Sequence, residues 1–264
     1  MHKHLLMCLI VCFGLLAPLS LSAQAPPDDE EDTIATDRPD FTESSDTVPF
    51  KSTQIEVGYT AAHNGSSTLH TLGEVLLRVG LTPKAELRVY MNSLAILNTP
   101  GGNTRGFQDF AIGAKWKLNE ATKGYGLRRP QTSLITAVYF PSGSSSFREH
   151  NAQASVKLCL GWDLAPKWTM GANMNYANVS LAGDRFDQFS ASFTLGYAWN
   201  KRISTFYEIY GFVPGGFQAG NNTYVDTGVA YLLNKTTQLD ARVGFGLNGV
   251  DSDYFIGFGV SKRW

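Results

Sequence analysis

The side chains of this 264-residue chain that could do chemistry are ionisable groups set into alternating runs: Glu56, Glu74 and Arg78, Glu86 and Arg88, Asp109, Lys115, Lys157, Glu208, Asp226, and Asp240 with Arg242. The apolar residues of each run take the opposite parity, as Leu239, Ala241, Val243 and Phe245 do around Asp240 and Arg242. Charges of both signs facing one enclosed space can contact a polar solute, and they can equally brace one another across neighbouring strands. Bond-breaking chemistry has less support. Nucleophilic hydrolysis needs a serine beside a histidine and an orienting acid. Beyond the first 25 residues the histidines are His63, His70 and His150, and Ser144, Ser145 and Ser146 near His150 read as loop composition. No His, Cys and acid cluster has metal-ligand spacing, so neither a catalytic centre, a metal nor a cofactor is expected.

Such charges need strands to hold them, because side chains alternate faces along a strand. About twelve alternating runs lie near 51–62, 69–81, 84–94, 106–118, 131–141, 152–163, 167–177, 188–199, 201–212, 223–233, 236–247 and 253–264. Each has the length of a tilted membrane strand. Phe189, Ala191, Phe193, Leu195, Tyr197 and Trp199 form the clearest apolar face, and 131–141 has the least contrast. Turning the charged parity into hydrocarbon would cost roughly 2–4 kcal/mol for each Arg or Lys near the midplane. The expected fold is therefore all-β: a transmembrane antiparallel up-and-down barrel of about twelve strands, with the charges lining its lumen. A barrel of that size is wider than side chains alone fill and narrower than open porins, so an obstruction is expected.

Residues 1–25 have a basic start, an apolar run from Leu5 to Leu19 and an Ala23-Gln24-Ala25 ending, the pattern of a signal peptide cleaved after Ala23 or Ala25. Its removal takes Cys8 and Cys12 and leaves Cys159, so no internal disulfide is expected. Residues 26–50 are acidic and rich in Pro, Ser and Thr, without a period, and form the candidate obstruction ahead of a barrel over 51–264. The net charge of −1 gives no reason to expect a nucleic-acid partner. Short turns at 82–83, 165–166, 200 and 234–235 alternate with longer connections near 95–105, 142–151, 178–187 and 213–222. In outer-membrane barrels the short turns are periplasmic, and the long connection 119–130 breaks the rule. Turn positions predict Arg78 opposite Glu86 and Asp226 opposite Arg242. Trp116, Trp162, Trp168, Trp199 and Trp264 all fall at strand ends on the short-turn side, where a membrane-interface girdle would place them.

The stretch Thr36-Asp37-Arg38-Pro39-Asp40-Phe41-Thr42-Glu43-Ser44 resembles a signature of the outer-membrane family named for the MetA pathway of phenol degradation. The likeness continues through Gln54–Gly58, LLRVGLTPKAELRV at 76–89, YEIYG at 207–211 and TGVAYLLNKTTQLDARVGFGLN at 227–248. Members are generally treated as transporters. The resemblance thus implies an outer-membrane barrel of a Gram-negative bacterium passing small, hydrophobic or aromatic molecules. The alternatives are a structural barrel without transport and a membrane-embedded hydrolase. The last run, DYFIGFGVSKRW, looks like the closing strand that such barrels present to their assembly machinery, with Lys262 as a departure. Outer-membrane lipid and that machinery are the expected partners.

Overall fold

The computed structural model describes residues 33–181, 183–215, 222–248 and 252–264. Residues 1–25, expected to be a signal peptide, residues 26–32 and the tip of the 213–222 connection lie outside the described residues.

The strands are β1 (Thr53–Asn64), β2 (Ser67–Thr82), β3 (Ala85–Tyr90), β4 (Leu94–Thr99), β5 (Gly102–Phe107), β6 (Phe110–Asn119), β7 (Gln131–Phe140), β8 (Gln153–Ala165), β9 (Trp168–Leu181), β10 (Asp184–Ala198), β11 (Ile203–Gly215), β12 (Asn222–Asn234), β13 (Thr237–Asn248) and β14 (Tyr254–Arg263). All pairings are antiparallel, and β1 pairs with both β2 and β14, which closes the sheet. β3 and β4 both pair with β2 as successive parts of one wall strand, and β5 and β6 continue each other in the same way. The twelve predicted runs are thus the twelve wall strands, and β4 and β5 form a hairpin that prolongs the wall.

Two stretches expected to be long loops are paired instead. Residues 95–105 belong to the β4–β5 hairpin, and 178–187 to the ends of β9 and β10. Ladder bonds still satisfy backbone groups beyond the bilayer, whereas alternation fades there because no lipid selects one face. The predicted cross-strand partners shift as well. Arg78 faces Arg88 and Gly80 faces Glu86, with a register irregularity between Gly80 and Thr82. Asp226 faces Gly244 and Arg242 faces Gly228, with another between Leu232 and Asn234. Bulges beside the turns thus move both pairs from opposite to diagonal.

The outer wall is an apolar belt in which Phe193, Phe245, Ile256 and Phe258 are exposed, Phe258 by 59%. Among the described residues no second sheet covers them, which fits a face solvated by lipid. The five tryptophans all point outward at the end that carries the short turns. In β7 the inward residues Ala137 and Tyr139 join Leu76, Tyr90, Ala111, Ala177 and Val179 in a dry lumenal cluster. That strand is apolar on both faces, which explains its weak contrast.

Candidate functional site: the lumen and the segment that fills it

Residues 33–50 form a loop inside the barrel. It enters at the short-turn end, where the Ile34 amide donates to the Lys235 carbonyl at 2.7 Å. At its apex the Phe41 and Thr42 amides donate to the Glu208 carboxylate at 2.6 and 2.7 Å. The Thr42 hydroxyl donates to the same carboxylate. It returns past Glu86, which accepts from the Val48 amide at 2.6 Å, and joins β1 where the Lys51 amide donates to Gly80. Every residue from Thr36 to Ser45 is buried. A polar, aperiodic segment with Pro39 and Pro49 pairs little of its backbone with itself, so its amides take wall carboxylates as partners.

Charge holds the loop in register. Asp37 lies 3.2 Å from Arg78 and 3.1 Å from Lys115, and also pairs with Arg88. Its amide donates to both oxygens of Glu56. Arg38 reaches Glu74 at 2.9 Å and Asp240 at 3.3 Å. Glu43 pairs with Arg88 at 2.8 Å and Lys157 at 2.7 Å. Further donations go to loop carbonyls: Lys115 to Ser44 and Asp46, and Arg78 to Ala35 and Asp46. Buried ions lose hydration and recover it only through near-complete pairing, which these contacts supply. Glu74 is aimed by the backbone: Gly73 and Glu74 have φ of 100° and 40°, beside a register shift in the β1–β2 pairing. Gly58 makes room for Arg38, since a Cβ there would overlap the guanidinium group.

The predicted lumen residues therefore separate into groups. Glu56, Glu74, Arg78, Glu86, Arg88, Lys115, Lys157, Glu208 and Asp240 all hold the loop. Asp226 faces Glu208 across β11 and β12, and Arg242 lies 5.0 Å over the Phe255 ring. Asp109 is not in this path. It lies between β5 and β6 and accepts from the amides of Gly143 and Glu149, fastening the outer 141–152 connection. Thr36 and Pro39 to Asp40 complete the buried stretch.

Sequence reasoning missed an aromatic slot at the apex. Phe41 stacks on Tyr210 at 4.4 Å, meets Phe212 edge-on at 5.3 Å, and shares a cluster with Tyr224 and Phe255. Tyr210 and Phe212 share parity with Glu208, and Tyr224 shares parity with Asp226. That shared parity was the available signal.

The outer connection carries one pH-dependent contact. Partial burial, then the neighbouring Asp109 charge, raise the Glu149 carboxyl to about 7. A raised acid favours the folded loop while protonated; that contribution is complete below about 4.5 and is lost as pH rises to about 7. Amide exchange across 141–152 is expected to be slower, after correction for intrinsic rates, at pH 5 than at pH 8. Glu149→Gln should flatten that difference, and an unchanged difference would discard Glu149 as its source.

The sequence profile of the family described as "Putative MetA-pathway of phenol degradation" matches residues 36–264. No curated protein is a significant match to the sequence. Among solved structures, the COG4313 outer membrane channel from Pseudomonas putida F1 is similar with a TM-score of 0.65 at 16% identity, covering 84% of this chain and 98% of that one. The NanC porin is similar with a TM-score of 0.55 at 12% identity, covering 80% and 98%. The KdgM porin follows at 0.50 and 12%, covering 79% and 98%. These likenesses are to the barrel, and they match the lipid-facing belt and closed antiparallel wall of an outer-membrane protein. With the profile spanning the loop motif and every strand, this chain belongs to the MetA-pathway of phenol degradation family.

Proposed function

We propose that this protein is an outer-membrane channel for passive uptake of small molecules, closed by the loop at 33–50 and opened when that loop withdraws. The observation that carries the reading is the threefold pairing of Asp37 with Arg78, Arg88 and Lys115, because it joins a segment outside the wall's hydrogen-bonded ladder to three wall strands at once. Only side chains and a few amides hold the loop, so it can leave without unpairing a strand. Withdrawal would expose a lumen lined by cations on one side and by Tyr210, Phe212, Tyr224 and Phe255 on the other. That slot now receives the ring of Phe41, which supports hydrophobic or aromatic solutes as the class that passes. Aromatic faces of this kind stack planar rings at 4.5–7 Å, a contact worth about 0.5–1.5 kcal/mol.

Single-channel recording in planar bilayers tests the reading. Deleting residues 28–50 is expected to raise unitary conductance several-fold over the full chain. Equal conductance in the two proteins would remove the loop from the mechanism. A deletion protein that inserts and folds yet carries no current would indicate a structural barrel.

A further inference from the structure

The connection 119–130 is long where its counterparts are tight, and the closure of the lumen leaves it unexplained. It is a hydrogen-bonded loop at the short-turn rim, with Ala121 near Ser44, Ser45 and Asp46 and its far end against β8. The Thr122 amide donates to the Arg129 carbonyl at 3.0 Å and closes its base. The Gly126 amide donates to the Asp163 carbonyl at 2.9 Å, and the Trp162 indole donates to the Arg128 carbonyl at 2.8 Å. Trp162 takes the parity opposite to the fully buried Cys159 and to Gly161, whose Cβ position faces Ser45 in the lumen, and so projects outward, which places that end of the loop beside the lipid-facing wall. Gly124 and Gly126, with φ of 98° and 102°, supply the reversals that hold it there.

What the loop displays is amphipathic. Leu127 is 77% exposed, more than any other large apolar side chain among the described residues, and Tyr125 is 49% exposed. Lys123, Arg128 and Arg129 are exposed around them. Three cations bracketing two unpacked apolar groups, beside the outward-facing Trp162 and on the connection that follows Trp116, match a bilayer interface in which apolar tips enter the acyl layer and cations meet phosphate. We infer that residues 119–130 form a binding site for anionic phospholipid headgroups of the periplasmic leaflet, with Lys123, Arg128 and Arg129 contacting phosphate and Tyr125 and Leu127 inserted beneath it.

Trp162 provides the reporter. A protein keeping Trp162, with the other four tryptophans replaced by phenylalanine, is reconstituted in phosphatidylcholine bilayers containing brominated phosphatidylglycerol or brominated phosphatidylcholine. Each cation near an anionic surface contributes about a factor of five in partition, so quenching should favour phosphatidylglycerol by about fivefold or more and weaken with added salt. In Lys123→Ala/Arg128→Ala/Arg129→Ala the preference should fall to near unity. Leu127→Ser should lower quenching by both lipids and keep their ratio. Equal quenching by the two lipids with the loop intact would overturn the inference, as would a preference that survives the triple substitution. A loop that instead docks an acidic soluble protein gives equal quenching. Should the triple variant fail to fold, the salt dependence with the loop intact still decides.

Discussion

Asp37→Ala is expected to convert a closed channel into one that is open for much of the time. The substitution removes one carboxylate and leaves Arg78, Arg88 and Lys115, all fully buried, around the gap. Arg78 keeps Glu56 and Glu86 and Arg88 keeps Glu43 and Glu86, but Lys115 is left with carbonyls alone. Removing one partner from a buried ionic cluster costs about 3–5 kcal/mol because the lost counter-charge is not replaced by water. Here the chain has an escape: if the loop leaves, water rehydrates all three cations. The closed-to-open equilibrium should therefore shift by a factor on the order of 10² to 10⁴. Conductance should approach that of the 28–50 deletion, while migration of the folded barrel on semi-native gels is unchanged. Asp37→Asn, which keeps the shape and drops the charge, should behave like the alanine variant. Full closure in both would show that the cluster does not hold the loop.

Gly58→Leu should open the channel by a different route. A Cβ at this position meets the guanidinium of Arg38 first, with no wall atom as near. The added volume would displace Arg38 from Glu74 and Asp240 while β1 keeps its pairing with β14 and β2. Loss of two buried pairs predicts an opening comparable to that of Asp37→Ala, about 3 kcal/mol or more. Gly259→Leu is the instructive contrast, since a Cβ there also crowds the Val57 carbonyl and would strain the β1–β14 seam. Raised conductance with normal thermal stability is expected for position 58, and lowered stability for position 259. If Gly58→Leu stays closed, Arg38 is not a closing contact.

The wall was legible because lipid on one side and charge on the other impose a period of two on every strand. The runs containing Phe193 and Val243 could hardly be read otherwise. Register was less legible: a single bulge beside Thr82 turned the expected Arg78–Glu86 rung into a diagonal, and alternation carries no trace of a bulge. The β4–β5 hairpin has a turn signal in Thr99-Pro100-Gly101-Gly102, but the same residues are equally at home in a long loop. The site was legible by halves. Parity put Arg78, Arg88 and Lys115 on the inside, but their partner Asp37 lies in a stretch with no period, and nothing local says which wall residue it meets. The aromatic slot was hidden for the opposite reason, since Tyr210 and Phe212 sit on the parity that charge had marked as wet.

Because the loop at 33–50 goes in and comes back out at the same rim, a pull on its upstream side would not load all its contacts together. Tension applied ahead of Thr33 would strip the Ile34–Lys235 bond first, then the pairs of Asp37 and Arg38, and reach the Glu208 apex only afterwards. Bonds broken one after another yield at lower force than bonds sheared in parallel, so a pull from the upstream side would unzip the loop more readily than a load that reached all its contacts at once.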